Sequence, residues 1–248
     1  MTKLMLIPFM VFYTAVHGQD LEGSWRLTHK NGEPVVKAEY IKIYQDGYFA
    51  CGAKELNSNK FLSAGGGEYS LAGNEYMETL DFFTLKSEVV GKSHTYHLDF
   101  KDDKMIISAN LQGDDLIEIW EKVSEREDDL TGTWVITGRK RDGEISTMTP
   151  GARRTVKILS GGRFQWIAFN SETKEFSGAG GGTYSASNGI YIENITFFSR
   201  DDSRVGATLE FKYELKDGQW HHRGESSTGE PIYEIWSNYR EAYNPNSQ

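Results

Sequence analysis

The densest chemistry in this chain lies at Trp220-His221-His222-Arg223-Gly224-Glu225, where two imidazoles, a guanidinium and a carboxylate sit close together. On an extended strand His221 and His222 point to opposite faces, so they cannot chelate one ion together and only one can turn inward. A metal centre would need two or three further inward ligands, with Glu193 and Glu234 the available acids. A structural or solvent-facing His is the preferred reading, and no metal and no cofactor is assigned. Glu193 shares a face with Tyr191 and Ile195, and Glu234 shares one with Ile232 and Trp236. If those faces line an interior, two carboxylates enter one aromatic cavity. Buried acids are costly unless paired or hydrogen-bonded, and such groups often mark functional sites. Two carboxylates about 5–10 Å apart would suit glycoside hydrolysis. An ion-pairing or hydrogen-bonding role with Arg153, Arg154 or Arg223 is preferred, because both acids have counterparts at Glu78 and Glu118 in the first half of the chain.

Aromatic residues make up 13% of the chain, and Phe164 and Trp166 fall on one strand face. Rings with a few polar groups among them are the usual lining of a small-ligand pocket. The residues expected to form one are Trp166, Tyr184, Glu193, His222 and Glu234. Rings would stack on the ligand, while the acids and His222 would fix its polar groups. Other chemistries fail on local pattern. Gly65–Gly67 and Gly178–Gly182 are followed by Glu68-Tyr69-Ser70 and Thr183-Tyr184-Ser185. These read as strand, whereas a phosphate loop needs a helix there. No Gly-x-Ser-x-Gly elbow occurs, and the single cysteine, Cys51, has no recognisable basic neighbour in sequence. No catalytic residue is assigned.

These residues must be positioned by strands, and the chain supplies them twice. Residues 61–83 and 176–198 align without a gap at an offset of 115, with 11 of 23 positions identical. Leu21-Glu22-Gly23-Ser24-Trp25 answers Leu130-Thr131-Gly132-Thr133-Trp134, and Ile117-Glu118-Ile119-Trp120 answers Tyr233-Glu234-Ile235-Trp236. A unit of that size is a domain rather than a solenoid repeat. Runs such as Tyr40-Ile41-Lys42-Ile43-Tyr44 and Thr155-Val156-Lys157-Ile158-Leu159 alternate with the period of half-buried strands. Turn signals at Asp46-Gly47, Gly161-Gly162, Asn188-Gly189 and Asp217-Gly218 separate them. About eight strands per unit predict two tandem antiparallel β-barrels, spanning residues 19–123 and 130–239, with a short charged linker between them. Any working site is expected in the second unit, since the first replaces Phe164/Trp166 by Phe49/Cys51.

Gly23/Trp25 and Gly132/Trp134 resemble the first-strand Gly-x-Trp of lipocalin-like (calycin) barrels. The resemblance implies that the Trp plugs the closed end while the Gly lets the chain pass. A second-hairpin Thr-Asp-Tyr and a late Arg with a flanking helix are not evident. The chain is also similar to a family of secreted lipocalin-like proteins typical of Bacteroidetes, which has no assigned activity. That likeness rests on Phe164-Gln165-Trp166, Gly178-Ala179-Gly180-Gly181-Gly182-Thr183-Tyr184, Tyr191-Ile192-Glu193-Asn194-Ile195 and Pro231-Ile232-Tyr233-Glu234-Ile235-Trp236. It implies a context beside polysaccharide-degrading machinery and names no ligand.

Lys3, the apolar run from Leu4 to Val16 and the small residues of Val16-His17-Gly18 read as a signal peptide over residues 1–18. A secreted or periplasmic location follows. One cysteine permits no internal disulfide, so each unit must stand on its core. The formal charge of −9 argues against nucleic acid or an anionic polysaccharide bound by bulk electrostatics, while leaving room for a local basic pocket, and no later run is long enough to span a membrane. The expectation is a non-catalytic binding protein for a small or oligosaccharide ligand, with no protein partner identified. The alternatives are a carbohydrate-active hydrolase or lyase using acids of the second barrel, and an interaction module with filled barrels.

Overall fold

The protein is described from a computed structural model covering residues 21–111 and 113–243. The expected leader at 1–18 lies outside the described residues. The first half contains β1 (Gly23–Lys30), β2 (Glu33–Pro34), β3 (Ala38–Gln45), β4 (Tyr48–Glu55) and β5 (Phe61–Ala72). It continues with β6 (Glu75–Phe83), β7 (Ser93–Lys101), β8 (Lys104–Leu111) and β9 (Asp114–Ser124). Successive strands from β3 to β9 pair antiparallel, and β1 pairs with both β3 and β9. Eight strands therefore close on themselves, and the two-residue β2 rides on β1 as a flap.

The second half repeats this plan. Its strands are β10 (Gly132–Arg141), β11 (Glu144–Thr147), β12 (Arg153–Ser160), β13 (Arg163–Asn170) and β14 (Glu175–Ser187). Then come β15 (Ile190–Phe198), β16 (Thr208–Lys216), β17 (Gln219–Glu225) and β18 (Pro231–Asn238). Here β10 closes the ring by pairing with β12 and β18. The chain forms two closed eight-stranded antiparallel barrels in tandem, followed by a short helix, α1 (Tyr239–Tyr243). Among the described residues no helix is long and apolar enough to cross a membrane.

Local chemistry explains the register. Asp46-Gly47, Asn188-Gly189 and Asp217-Gly218 all carry positive φ at both positions, the backbone of the tight hairpin turn that matches strand twist. The glycine tracts sit within β5 and β14, where the ladder slips by one residue between Gly66 and Gly67 and between Gly181 and Gly182. A side chain at Gly181 would stand 2.6 Å from the Phe197 ring and 2.7 Å from the Phe164 carbonyl, so the wall admits only glycine there. Trp25 and Trp134 lie at the start of each barrel. Each indole N–H donates to the carbonyl four residues earlier, Leu21 at 2.8 Å and Leu130 at 3.0 Å.

The strand alternation is present, but its polarity is the reverse of a simple wet-outside pattern. Lys42 and Lys157 point into their barrels, while Ile43, Val156 and Ile158 point out and are buried against the other barrel. One apolar cluster therefore belongs to both halves and includes Tyr48, Phe82, Phe169, Phe197 and Tyr239. Phe61 lies parallel to Phe176 across it, with centroids 6.3 Å apart. Polar contacts frame this cluster. Ser24 donates to the Gly161 carbonyl at 2.9 Å, and Thr133 donates to the Gln45 carbonyl at 3.0 Å. Asp81 accepts from Tyr48 and Tyr239, both at 3.2 Å, and lies 3.6 Å from Arg154. Burial raises the Asp81 carboxyl above its ordinary value, against the opposing pull of Arg154.

Candidate functional site

Each barrel holds the same buried ion pair. In the second, the Lys157 ammonium on β12 donates to Glu193 Oε1 on β15 at 2.7 Å, and the Tyr191 hydroxyl donates to that same oxygen at 2.7 Å. Four rings surround the ammonium, from Phe164, Tyr191, Trp220 and Trp236, with centroids 5.2–5.9 Å away. In the first, Lys42 is paired with Glu78, which also accepts from Tyr76 at 2.7 Å. Phe49, Tyr44, Tyr76 and Trp120 form the matching ring cage. A charge in such a site is tolerable only when paired and hydrogen-bonded. The acids expected to meet Arg153, Arg154 or Arg223 are held otherwise: Glu193 by Lys157, and Glu234 by Arg139 at 3.4 Å. Arg154 turns toward Asp81 of the first barrel, and Arg223 is exposed on the face of β17 opposite His222.

Above this ion pair the second barrel opens into a cavity of about 400 Å³. Trp166, Glu193, His222 and Glu234 all line it, together with Trp236 and several cations. Tyr184 does not. It lies beside Thr131, just before β10, with its hydroxyl 3.3 Å from Thr131 Oγ1 and its ring under Arg126. His221 and His222 do face opposite sides: His221 Nδ1 is 2.9 Å from the Tyr233 hydroxyl, whereas His222 is inward and 1% exposed. His222 packs parallel to Trp220 and edge-on to Phe211. Burial, aided by the nearby Lys157 charge, pushes its pKa well below the ordinary histidine range, so the ring is neutral. Among the described residues neither ring nitrogen has a hydrogen-bond partner, and Nδ1 stands 3.8 Å from Glu234 Oε2, outside bonding range. Among the same residues the Trp236 indole N–H is likewise without an acceptor. Among the described residues no group of three or more His, Cys, Asp and Glu is placed to hold a metal ion.

Residues 20–128 match a family model described as a domain of unknown function (DUF4488). That stretch contains every strand of the first barrel and ends before the second begins. No curated protein matches the chain. The second barrel is tied to the matched one by the internal repeat, and the repeat gives a direct comparison of the two interiors.

At the position of Trp166 the first barrel has Cys51, and at that of His222, fixed by the pairing of Trp220 with Trp236 and of Met105 with Trp120, it has Ile107. Tyr40, Tyr69, Phe83, Tyr96 and Cys51 pack onto the first core. Burial drives the Cys51 thiol up to about 12, against the opposing Lys42 charge. Cys51 in the native protein is therefore expected to resist iodoacetamide at pH 8 and to react once the chain is unfolded, as read by intact mass. Rapid native labelling would mean that the partly buried thiol is reachable without unfolding.

Sequence reasoning did not find Lys157, Arg139 or Arg200. A lysine within an alternating strand reads as its wet face. The usable signal was that Lys42 and Lys157 recur at the same offset as Glu78 and Glu193.

Proposed function

We propose that this is a lipocalin-like binding protein that holds a small or oligosaccharide ligand in its second barrel, without catalysis, and works outside the cytoplasm beside polysaccharide-degrading enzymes. One observation carries the reading: a neutral, fully buried His222 with both nitrogens unpartnered, at the wall of a cavity that also holds an unpaired indole N–H. Buried polar groups are otherwise almost always hydrogen-bonded, so a site this polar is built for a partner. Glu234 accepts, the Trp236 indole donates and neutral His222 does either, which is the mixed set that a hydroxylated ligand requires. Glycoside hydrolysis needs a carboxylic acid and a carboxylate free to act on the bond. Here Glu193 is already engaged by Lys157 and Tyr191, and Glu234 faces Arg139. The leader read in residues 1–18 supports the location.

The test is calorimetric titration of the full chain with a panel of neutral and acidic di- to tetrasaccharides. At least one member is expected to bind at a single site, and Trp166→Ala or His222→Ala to weaken it about tenfold or more. Affinity that survives both substitutions would remove this site. Silence across the panel would remove the oligosaccharide reading.

A further inference from the structure

The duplication separates the charged groups common to both barrels from those found in one alone. Lys157–Glu193–Tyr191 has its copy in Lys42–Glu78–Tyr76, and Arg139–Glu234 has its copy in Lys30–Glu118 at 3.1 Å. These pairs occur in both halves, and each is satisfied within its own barrel. Two further cations of the cavity, Arg153 and Arg200, do not recur: the matching positions are Ala38 and Leu85. Among the described residues neither arginine has an acid within ion-pairing distance. Arg200 is held over Gly178 by two hydrogen bonds from its guanidinium to the Ser177 carbonyl, at 2.8 and 2.6 Å. Those bonds use two of its five N–H donors and leave three uncommitted. The cavity's other charges cancel, Lys157 against Glu193, Arg139 against Glu234 and Arg154 against Asp81. Two uncompensated guanidinium groups thus face a single cavity in a chain of net charge −9. The barrel that carries them also carries the unpartnered His222 where the other has Ile107, and Trp166 where the other has Cys51.

We propose that the cavity selects a small organic anion, a carboxylate or sulfate carried on a ring-bearing body. Arg153 and Arg200 receive the oxyanion at the rim. His222 hydrogen-bonds the inner end, and Trp166 covers a face of the body. Guanidinium is suited to this by its planar fork, which matches an oxyanion two bonds at a time. The positive rim also draws anions against the field of an acidic surface. This reading rests on the ligand site proposed above and adds the charge of what enters it.

The test uses two fluorescent dyes with the same ring system, anilinonaphthalene sulfonate and the neutral phenylnaphthylamine, titrated into the full chain at low salt. The sulfonate is expected to bind about tenfold tighter or more. The Arg153→Gln/Arg200→Gln double variant should bring the two dyes within about twofold of each other and leave the neutral dye unchanged. The Arg153→Lys/Arg200→Lys variant should keep part of the preference, which shows that charge and not folding is at stake. Ala168→Phe, which fills the cavity from its wall, should abolish both signals. Equal binding of the dyes to the unmodified chain, or a preference that outlasts the loss of both arginines, overturns the anion assignment while the cavity as a ligand site stands. Dye binding that is absent, or untouched by Ala168→Phe, takes away the cavity and this inference with it.

Discussion

Glu78→Leu is expected to cost about 3–5 kcal/mol of unfolding free energy, because it leaves the Lys42 ammonium unpaired inside four aromatic rings. Both side chains are nearly sealed, 7% exposed for Lys42 and 10% for Glu78. The Coulomb partner is thus lost where no water can replace it. The Lys42→Met/Glu78→Leu double variant should recover most of that loss, since apolar residues of similar volume remove the desolvation cost on both sides. Guanidinium titration of the three proteins decides it, and a loss below about 1 kcal/mol for Glu78→Leu would mean that the pair is hydrated. A pH signature accompanies the pair. Burial alone would lower the lysine pKa, but Glu78, with smaller help from Tyr44 and Cys51, carries it well above 10.5. A group whose folded pKa lies above its unfolded one gives its full stabilisation below the unfolded value. That stabilisation should be intact up to about pH 10.5 and fall away as pH climbs from there toward the folded value. In the double variant that alkaline loss should be smaller.

Phe197→Ala should cost a similar amount, about 3–5 kcal/mol, for a different reason. Phe197 does not point into its own barrel. It is 6% exposed, stacks on Phe61 of the first barrel at 6.1 Å and closes over Gly52, where an added Cβ would meet it at 2.5 Å. Removing it opens a cavity between the halves rather than within one. The expected result is a loss of stability together with a broadened or split unfolding transition, as one barrel melts before the other. Phe82→Ala, at the equivalent position, should behave alike. A single sharp transition at an unchanged midpoint in either variant would mean that the shared cluster does not couple the barrels.

Much of the architecture was legible because it is written in short-range chemistry. Asp46-Gly47 and Asn188-Gly189 favour the positive-φ hairpin turn whatever the fold around them, and the repeat at offset 115 announces two units without reference to any fold. What each strand face meets was not legible. Ile41-Lys42-Ile43 alternates correctly, but period two says nothing about which side is inside. Here both sides are covered, one by the barrel interior and one by the second barrel. The opposed faces of His221 and His222 follow from strand geometry alone, and so does the common face of Glu193 and Tyr191. Their partners do not follow, because Lys157 reaches Glu193 across 36 residues and Arg139 reaches Glu234 across the closing seam of the barrel. Whether an interior is open depends on summed side-chain volumes from eight strands. The exchange of Trp166 for Cys51 pointed to the second barrel, but it carried no measure of how open that interior is.

The face between the barrels has a further consequence. Gln45 accepts a hydrogen bond from Ser160 at 2.7 Å, and Phe61 lies against Phe176; in both contacts each residue meets its own counterpart, 115 positions away. Self-complementary contact of that kind is the mark of a two-fold dimer, here made of two halves on one thread. A covalent dimer cannot dissociate on dilution, so its halves stay docked at any concentration, with the link setting a high local concentration. It is also released from the constraint of identity. A change that opens one barrel need not open the other, and the unchanged half can carry the shared stability. The stoichiometry expected of such a molecule is one ligand for every two barrels.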